Sequence, residues 1–138
     1  MNKRTDGSQV YQKLIMLMMR AKRHMFAASE LWQLTPVQGM LLVSLKPGSA
    51  RTMNELAEMM GCDASNITGL IDRLEANCYI ERAADPDDRR VKKIQLSDQG
   101  CKCRKSLLDE LCRVEALDLS KLSDDEIKSL RSITSKLV

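Results

Sequence analysis

The sequence predicts a mainly α-helical chain with one small β-hairpin, an α+β arrangement. Apolar residues recur at three- and four-residue steps over most of the chain, which is the spacing of amphipathic helices. One pair of short strand-like stretches flanks a charged segment, which is typical of a hairpin. The chain has 138 residues, 43% of them apolar and 30% charged, with six glycines and three prolines. This length and composition predict a single globular domain over residues 1–138 and exclude a disordered or fibrous chain.

The first helix is predicted over residues 8–32. Ser8 is a candidate N-cap, and an apolar stripe from Val10 to Trp32 follows it at helical spacing. A helix of about 25 residues is about 37 Å long, which is longer than a folded chain of this size would comfortably cover. Part of the stripe is therefore expected to pack on a second copy of the chain.

Three shorter helices are predicted next, with N-caps at Thr35, Thr52 and Asp63. The first two caps are followed three residues later by Gln or Glu, which completes a capping box. Gly61 ends the second of these helices, because glycine adopts the left-handed C-cap conformation without steric cost. The third helix runs to about Asn77. Two helices joined by a tight turn form a helix-turn-helix, whose second helix here presents short polar side chains at its start.

A β-hairpin with a charged tip follows, with strands over residues 79–83 and 91–96 around the tip at 84–90. The formal net charge of the chain is only +3, so its basic residues matter through their positions. Four of the five residues from Arg89 to Lys93 are basic. Such a hairpin beside a helix-turn-helix is a wing, whose tip can reach the minor groove of DNA. The sequence therefore predicts a winged helix-turn-helix DNA-binding unit over residues 35–96.

Two more helices complete the chain. Ser97 is the candidate N-cap of a long helix whose apolar stripe is Cys101, Leu108, Leu111, Cys112 and Leu117, and Ser123 opens the last helix with a capping box. The segments 8–32 and 107–138 both carry apolar stripes too long for one small domain to cover. We therefore predict that they are dimerisation helices.

Four motifs carry a family resemblance. They are Leu34-Thr35-Pro36-x-Gln38, Asn54-Glu55-Leu56-Ala57, Ser65-Asn66-Ile67-Thr68-Gly69-Leu70-Ile71-Asp72-Arg73-Leu74-Glu75, and Glu81-Arg82-x-x-Asp85-Pro86-x-Asp88-Arg89-Arg90 followed by Leu96-Ser97-x-x-Gly100. In these motifs, and over essentially its whole length, the sequence resembles the MarR family of winged-helix transcription regulators. The resemblance implies a homodimer that binds double-stranded DNA at a pseudo-palindromic operator. It also implies a repressor that a small-molecule effector or oxidation releases from DNA.

The candidate DNA contacts lie on the recognition helix and the wing. Ser65, Asn66 and Thr68 are short hydrogen-bonding residues that can approach base edges, and Arg73 can hold a phosphate or a guanine. Arg89, Arg90 and Lys92 form the basic run of the wing, and arginines there suit a narrow minor groove. The alternative for each is an ordinary solvated surface. The resemblance further implies that Asp63 and Asp88 brace the wing arginines.

Other function classes find little support. His24 is the only histidine and has no carboxylate near it in sequence, so an enzyme of the Ser-His-Asp type is not expected. Five cysteines without Cys-x-x-Cys spacing predict neither a disulfide framework nor a zinc site, and we expect no metal and no cofactor. No apolar run approaches the ~20 residues of a membrane helix, and no leader is evident, so a cytoplasmic protein without a membrane partner is expected.

Two alternatives to a ligand-released repressor stay open: a thiol-based redox-sensing regulator on the same fold, and a helical protein-interaction adaptor. The sequence does not indicate which residues bind an effector. It also departs from the family pattern at Cys78, where the family usually has glycine after the recognition helix. We therefore expect Asn77 to take the left-handed position that ends this helix. No cysteine precedes Cys62, so a peroxide-sensing thiol near the start of the first helix is not expected.

Overall fold

The computed structural model describes residues 3–113 and 117–137. Its α-helices are α1 (Lys3–Glu30), α2 (Pro36–Ser44), α3 (Met53–Met60), α4 (Ala64–Ala76), α5 (Asp98–Arg113) and α6 (Asp124–Leu137). Its strands are β1 (Arg51–Thr52), β2 (Ile80–Ala84) and β3 (Lys92–Leu96), and a short 3₁₀ turn covers Leu119–Lys121. The predicted fold class is confirmed, because the chain is mostly helical with one small antiparallel sheet. Residues 1–2, 114–116 and 138, which belong to the predicted domain and in part to its C-terminal dimerisation segment, lie outside the described residues.

The long first helix, α1, extends beyond the predicted start. It begins by Lys3 instead of Ser8, so Ser8 is an interior residue of the helix and not its N-cap. Residues 7–20 are exposed in the single chain, and Met25, Ala28 and Ser29 near the C-terminal end are buried against the rest of the fold. Residues 7–20 of α1 therefore project an uncovered, largely apolar surface.

The predicted capping signals set the boundaries of α2 and α3. The backbone N–H groups of Gln38 and Glu55 donate to the hydroxyls of Thr35 and Thr52, each at 3.3 Å, and both capping boxes are complete. Gly61 follows α3 with φ +61°, which confirms the predicted left-handed C-cap. These local hydrogen bonds satisfy backbone groups that a helix end otherwise leaves unpaired.

One hydrophobic core joins the helix-turn-helix to the sheet and to α5. Its fully buried side chains come from α2, α3, α4, β3 and α5, and each contributes about 1.5–3 kcal/mol by leaving water. The largest of them are Leu41, Leu42, Leu45, Leu56, Ile67, Ile71, Leu74, Ile94 and Leu107. The core fixes the orientation of α4, because Ile67, Ile71 and Leu74 occupy one side of that helix.

The wing is part of a three-stranded sheet with the order β1-β3-β2. β2 and β3 form the predicted hairpin, with Ile80 opposite Leu96 and Ala84 opposite Lys92. β1 was not predicted, because a two-residue strand has no periodicity to detect. Its pairing places Arg51 opposite Ile94 and so connects the start of α3 to the wing.

The turn between α4 and β2 differs from the prediction. Cys78, and not Asn77, takes the left-handed conformation, with φ +59° against −91° at Asn77. The backbone N–H of Cys78 donates to Glu75 O and that of Tyr79 to Leu74 O, both at 2.9 Å. This is the Schellman pattern, in which the left-handed residue is the one after the C-cap. The prediction for Asn77 is therefore wrong, and a cysteine fills a position that favours glycine.

The start of α5 lies directly against this turn. The backbone N–H of Ser97 donates to Tyr79 O at 3.1 Å, and the Ser97 hydroxyl accepts from the Gly100 N–H at 3.0 Å, as expected of an N-cap. A Cβ atom on Gly100 would lie only 1.8 Å from Tyr79 O. Helix and turn approach so closely that a residue with a side chain would not fit here.

The buried face of α5 consists of Gly100, Cys103 and Leu107, with Leu111 partly buried behind them. Three members of the predicted stripe do not belong to this face. Leu108 is only half-buried, one position past Leu107. Cys112 is exposed, because the face recurs at steps of three and four residues that end on residue 111. Leu117 lies beyond the end of the helix at Arg113.

Trp32 joins three parts of the fold. Its ring N–H donates to the Ser106 hydroxyl of α5 at 3.1 Å, and its carbonyl accepts from the Tyr79 hydroxyl at 3.2 Å. The two rings meet edge to face with centroids 6.4 Å apart, a favoured aromatic geometry. The end of α1, the middle of α5 and the turn before the wing are therefore held together at one side chain.

Candidate nucleic-acid interface

The polar residues predicted to read DNA lie on one exposed face of α4. The apolar residues of the helix face the core, so the remaining face is presented to solvent. This face carries Ser65, Asn66, Thr68, Gly69, Asp72 and Arg73. The structure therefore brings together the four predicted recognition-helix residues, at the position that a recognition helix occupies in a helix-turn-helix.

Asp63 organises the first turn of α4. One carboxylate oxygen accepts from the Asn66 backbone N–H and from the Ser65 hydroxyl, both at 2.8 Å, and the other accepts from the Asn66 side-chain amide at 3.1 Å. The bond from the Asn66 backbone N–H, followed by that from Ser65, lowers the pKa of the Asp63 carboxyl. These partners differ from the wing arginines that the family resemblance implies, and the bracing of those arginines stays a prediction.

Two neighbouring residues shape the middle of the same face. The Thr68 hydroxyl donates to Ala64 O at 2.7 Å, which holds the side chain against its own helix and leaves the oxygen able to accept. Gly69 would have no heavy atom within 4 Å of an added Cβ, so no contact inside the chain requires a glycine there. A glycine at the centre of an exposed polar face lets a partner approach the helix backbone closely.

The tip of the wing presents Arg89 and Arg90 to solvent. The Asp88 carboxylate accepts from the Arg90 backbone N–H at 2.9 Å, and the Asp88 carbonyl accepts from the Val91 N–H at 2.9 Å. Asp88 thus orders the tip through the main chain of Arg90. Within the described ranges, 3–113 and 117–137, the ion pairs of the protein do not include either guanidinium, so both are available to phosphates.

An ion pair closes the base of the wing. Lys93 Nζ lies 2.5 Å from an Asp85 oxygen, and the other Asp85 oxygen accepts from the Asp87 N–H at 2.8 Å. The bond to Lys93, followed by that from Asp87, lowers the pKa of Asp85, and the same pair raises the pKa of Lys93. The neighbouring Lys92 is exposed on β3, so the basic run divides into one lysine that supports the hairpin and one that faces solvent.

We expect Asp85→Asn to loosen the wing in a pH-dependent way. Because the pKa of Asp85 is lower in the folded state, its ion pair stabilises the fold at pH above the ordinary value of 3.8. That contribution is lost as the pH falls through the lowered pKa. The difference in unfolding free energy between wild type and Asp85→Asn should therefore be present at pH 7 and shrink toward zero below pH 3.8. Urea titrations across this range measure it, and a difference that did not depend on pH would contradict the ion-pair assignment.

A second ion-pair cluster, which the sequence analysis did not single out, links the wing to α4. Arg82 of β2 lies 2.5 Å from Asp72 and 2.9 Å from Glu75, two carboxylates one turn apart on the helix. Arg82 therefore fixes the wing strand to α4 and neutralises acidic charge beside the exposed polar face of that helix. In the sequence, the only indication of this cluster was the Glu81-Arg82 pair at the start of the wing motif.

The buried thiol of Cys103 has little reactive character. All five cysteines are free, and burial raises the pKa of Cys103 to about 11, so this thiol stays protonated at neutral pH. Among the residues that the structure describes, no three metal-ligating side chains come together, and no helix is long and apolar enough to cross a membrane. Two open surface depressions, of about 350 and 340 Å³, lie on α5 and α3 and are lined mainly by charged side chains.

Comparison with known proteins assigns this architecture to a family. The MarR family model matches residues 34–92, which include the helix-turn-helix and most of the wing. The HTH-type transcriptional repressor MdtR of Bacillus subtilis is 32% identical over 130 residues, which are 94% of this chain and 84% of that protein. The chain belongs to the MarR family. As a MarR-family protein it is a DNA-binding transcription regulator and not an enzyme.

Solved structures of MarR-family proteins share the fold over nearly the whole chain. A MarR family protein from Bacillus stearothermophilus has a TM-score of 0.76 at 27% identity, covering 99% of this chain and 95% of its own. A mutant of MepR from S. aureus, solved bound to an oligodeoxyribonucleotide, has a TM-score of 0.63 at 24% identity, covering 92% and 94%. The predicted membership of the MarR family is confirmed.

Proposed function

We propose that this MarR-family protein is a dimeric, sequence-specific repressor that binds a pseudo-palindromic operator. In this proposal α4 enters the major groove, where Ser65, Asn66, Thr68 and Arg73 meet bases and phosphates. The wing tip with Arg89 and Arg90 lies over the adjacent minor groove, and Lys92 contacts the backbone beside it. The observation that carries the proposal is the exposed polar face of α4 beside two wing guanidiniums that form no ion pair within the part of the chain that the structure describes. The repressor activity named for MdtR and the DNA complex of MepR support it.

The homodimer is supported by the apolar surface that the single chain leaves uncovered. Large apolar side chains along α1 and α6 are each about two fifths or more exposed. They include Val10, Tyr11, Leu14, Ile15, Met16, Leu17, Met18, Met19, Leu130, Ile133 and Leu137. A patch of this extent is rare on a monomer and typical of an interface. We place the dimer contact on the segments 8–32 and 107–138, and a two-fold dimer presents two α4 helices to two half-sites.

The oligomeric state is tested by sedimentation. The wild-type protein should sediment near twice 15.6 kDa at micromolar concentration. Ile133→Glu should shift it toward the monomer, because this half-exposed apolar side chain lies on the α6 surface that we place in the dimer contact. Ser132→Glu, which adds the same charge on the opposite face of α6, is the matched control and should stay dimeric. A wild type that sediments as a monomer would contradict the proposed dimer.

Release by a small-molecule effector completes the proposal. The two surface depressions on α5 and α3 are open and lined mainly by charged side chains, whereas small ligands favour enclosed, mostly apolar pockets. We therefore place the effector between the dimerisation helices and the DNA-binding unit, at a site that the second copy helps to enclose.

Selection of DNA tests the proposed function. Random duplexes bound by the pure protein are sequenced, and a pseudo-palindromic motif with two half-sites is the expected result. Adding peroxide to the bound complex then distinguishes a ligand-released repressor from a thiol sensor. Only the sensor should release DNA on oxidation and bind it again after a thiol reductant is added. Failure to enrich any sequence would contradict sequence-specific binding and favour the protein-interaction adaptor.

A further inference from the structure

The hydrogen bonds in the first turn of α4 determine which polar groups are available to read a base. Asp63 accepts from the Ser65 hydroxyl, so the donor of Ser65 is occupied. The Thr68 hydroxyl is likewise used as a donor, toward Ala64 O. Both hydroxyls are therefore left mainly as acceptors.

Asn66 is different, because it retains both kinds of group. Its side-chain amide donates one N–H to an Asp63 oxygen at 3.1 Å. The amide nitrogen must be the atom that faces Asp63, since an ionised carboxylate only accepts. The side chain is exposed, and its second N–H and its carbonyl oxygen have no partner within the described part of the chain. Asn66 thus offers solvent one donor and one acceptor from a side chain held in a fixed position.

The major-groove edge of adenine presents the complementary pair, the N6 amino donor and the N7 acceptor. Guanine presents two acceptors there, which would oppose the Asn66 carbonyl oxygen, and the pyrimidines present only one hydrogen-bonding group each. We propose that Asn66 reads an adenine in each half-site and that Asp63 is the positioning residue that orients its amide. This inference rests on the proposed function.

The positioning role explains why the N-cap of α4 is an aspartate. A carboxylate has enough lone pairs to cap the helix and to hold two side chains at once, whereas a serine or threonine N-cap has one oxygen with two lone pairs, too few for these three bonds. The ordinary pKa of an aspartate, 3.8, already leaves Asp63 ionised at neutral pH, and these bonds lower its pKa further, so its orientation of Asn66 persists under physiological conditions.

The test uses the duplex that the wild-type protein selects, with each adenine of a half-site replaced in turn by 7-deazaadenine. This base keeps N6 and its pairing with thymine but has a carbon in place of N7. We expect one position to weaken wild-type binding about tenfold and the other positions to change it less than twofold. Asn66→Ala should bind the parent duplex more weakly and show no sensitivity at that position.

Two further variants separate base reading from folding. Asn77→Ala removes the same side chain at the other end of α4, where its amide donates to Arg73 O, and should keep the full tenfold sensitivity. Asp63→Ser keeps an N-cap hydroxyl but cannot hold the Asn66 amide. Its circular dichroism should match the wild type, while its sensitivity to 7-deazaadenine falls.

The outcomes distinguish this inference from the function on which it rests. A wild type that selects a duplex but tolerates 7-deazaadenine everywhere overturns the reading of adenine, while DNA recognition stands. Equal sensitivity in Asn66→Ala assigns the contact to another residue and also overturns it. Full sensitivity in Asp63→Ser overturns the positioning role alone. A protein that selects no duplex overturns the proposed function and this inference together.

Discussion

Gly100→Ala is expected to destabilise the fold by roughly 3 kcal/mol or more, the upper range for overpacking in a well-packed site. The added Cβ would lie 1.8 Å from the Tyr79 carbonyl oxygen, which is backbone and cannot rotate away. Relief requires α5 to move from the turn between α4 and β2. That movement would break the Ser97–Tyr79 backbone bond and disturb the packing of Leu107 and Cys103 behind it.

Gly69→Ala is the matched control for this prediction. Gly69 is also a helical glycine, but nothing lies within 4 Å of its added Cβ. Alanine there should raise the free energy of unfolding by about 0.5–1 kcal/mol, the usual difference between the two residues in a helix. Urea unfolding at one fixed protein concentration compares the variants, because a dimer's stability depends on concentration. Similar effects at both positions would show that the close approach at Gly100 is not what requires a glycine.

Arg90→Ala is expected to weaken operator binding by about 1–3 kcal/mol. Asp88 fixes the main chain of Arg90 at the wing tip, so in the proposed complex its guanidinium would approach the minor groove from an ordered position. Arg89 is the neighbour that we expect to meet a phosphate. Its replacement by alanine should lower the slope of log affinity against log salt by about one, since one fewer counterion is released.

Binding titrations at several salt concentrations separate these two roles. Lys105→Ala removes an exposed basic side chain of α5 that lies outside the wing, α4 and both proposed dimerisation segments, and it serves as the control that should bind like the wild type. Circular dichroism must show that all variants are folded alike. Unchanged affinity and salt slope in both wing variants would mean that the hairpin is only a surface loop.

Local signals account for the elements that were predicted well. Local sequence predicts the capping boxes at Thr35 and Thr52 and the left-handed Gly61, because each depends on residues within four positions of one another. The same holds for the wing, whose two strands are joined by a short charged tip. Four of the predicted DNA-facing residues lie on α4 and share one face because helical periodicity dictates it.

The features that were missed depend on contacts between distant parts of the chain. β1 is a strand only because residues 51 and 52 pair with β3, more than 40 positions later. Gly100 needs to be glycine because of Tyr79, and Asp63 contacts Ser65 and Asn66 where the family resemblance implied the wing. Cys78 takes the left-handed conformation because two backbone bonds continue past the end of α4. None of these follows from periodicity or composition.

The position of Trp32 makes the protein its own fluorescent reporter. The chain has one tryptophan, and its indole N–H is bonded to Ser106 of α5 while its carbonyl is bonded to Tyr79, next to the turn that leads into the wing. Any rotation of the DNA-binding unit against the long helices must stretch one of these two bonds and change the polarity around the indole. The emission spectrum of the unlabelled protein can therefore test whether the DNA-binding unit moves against the long helices when operator DNA is added.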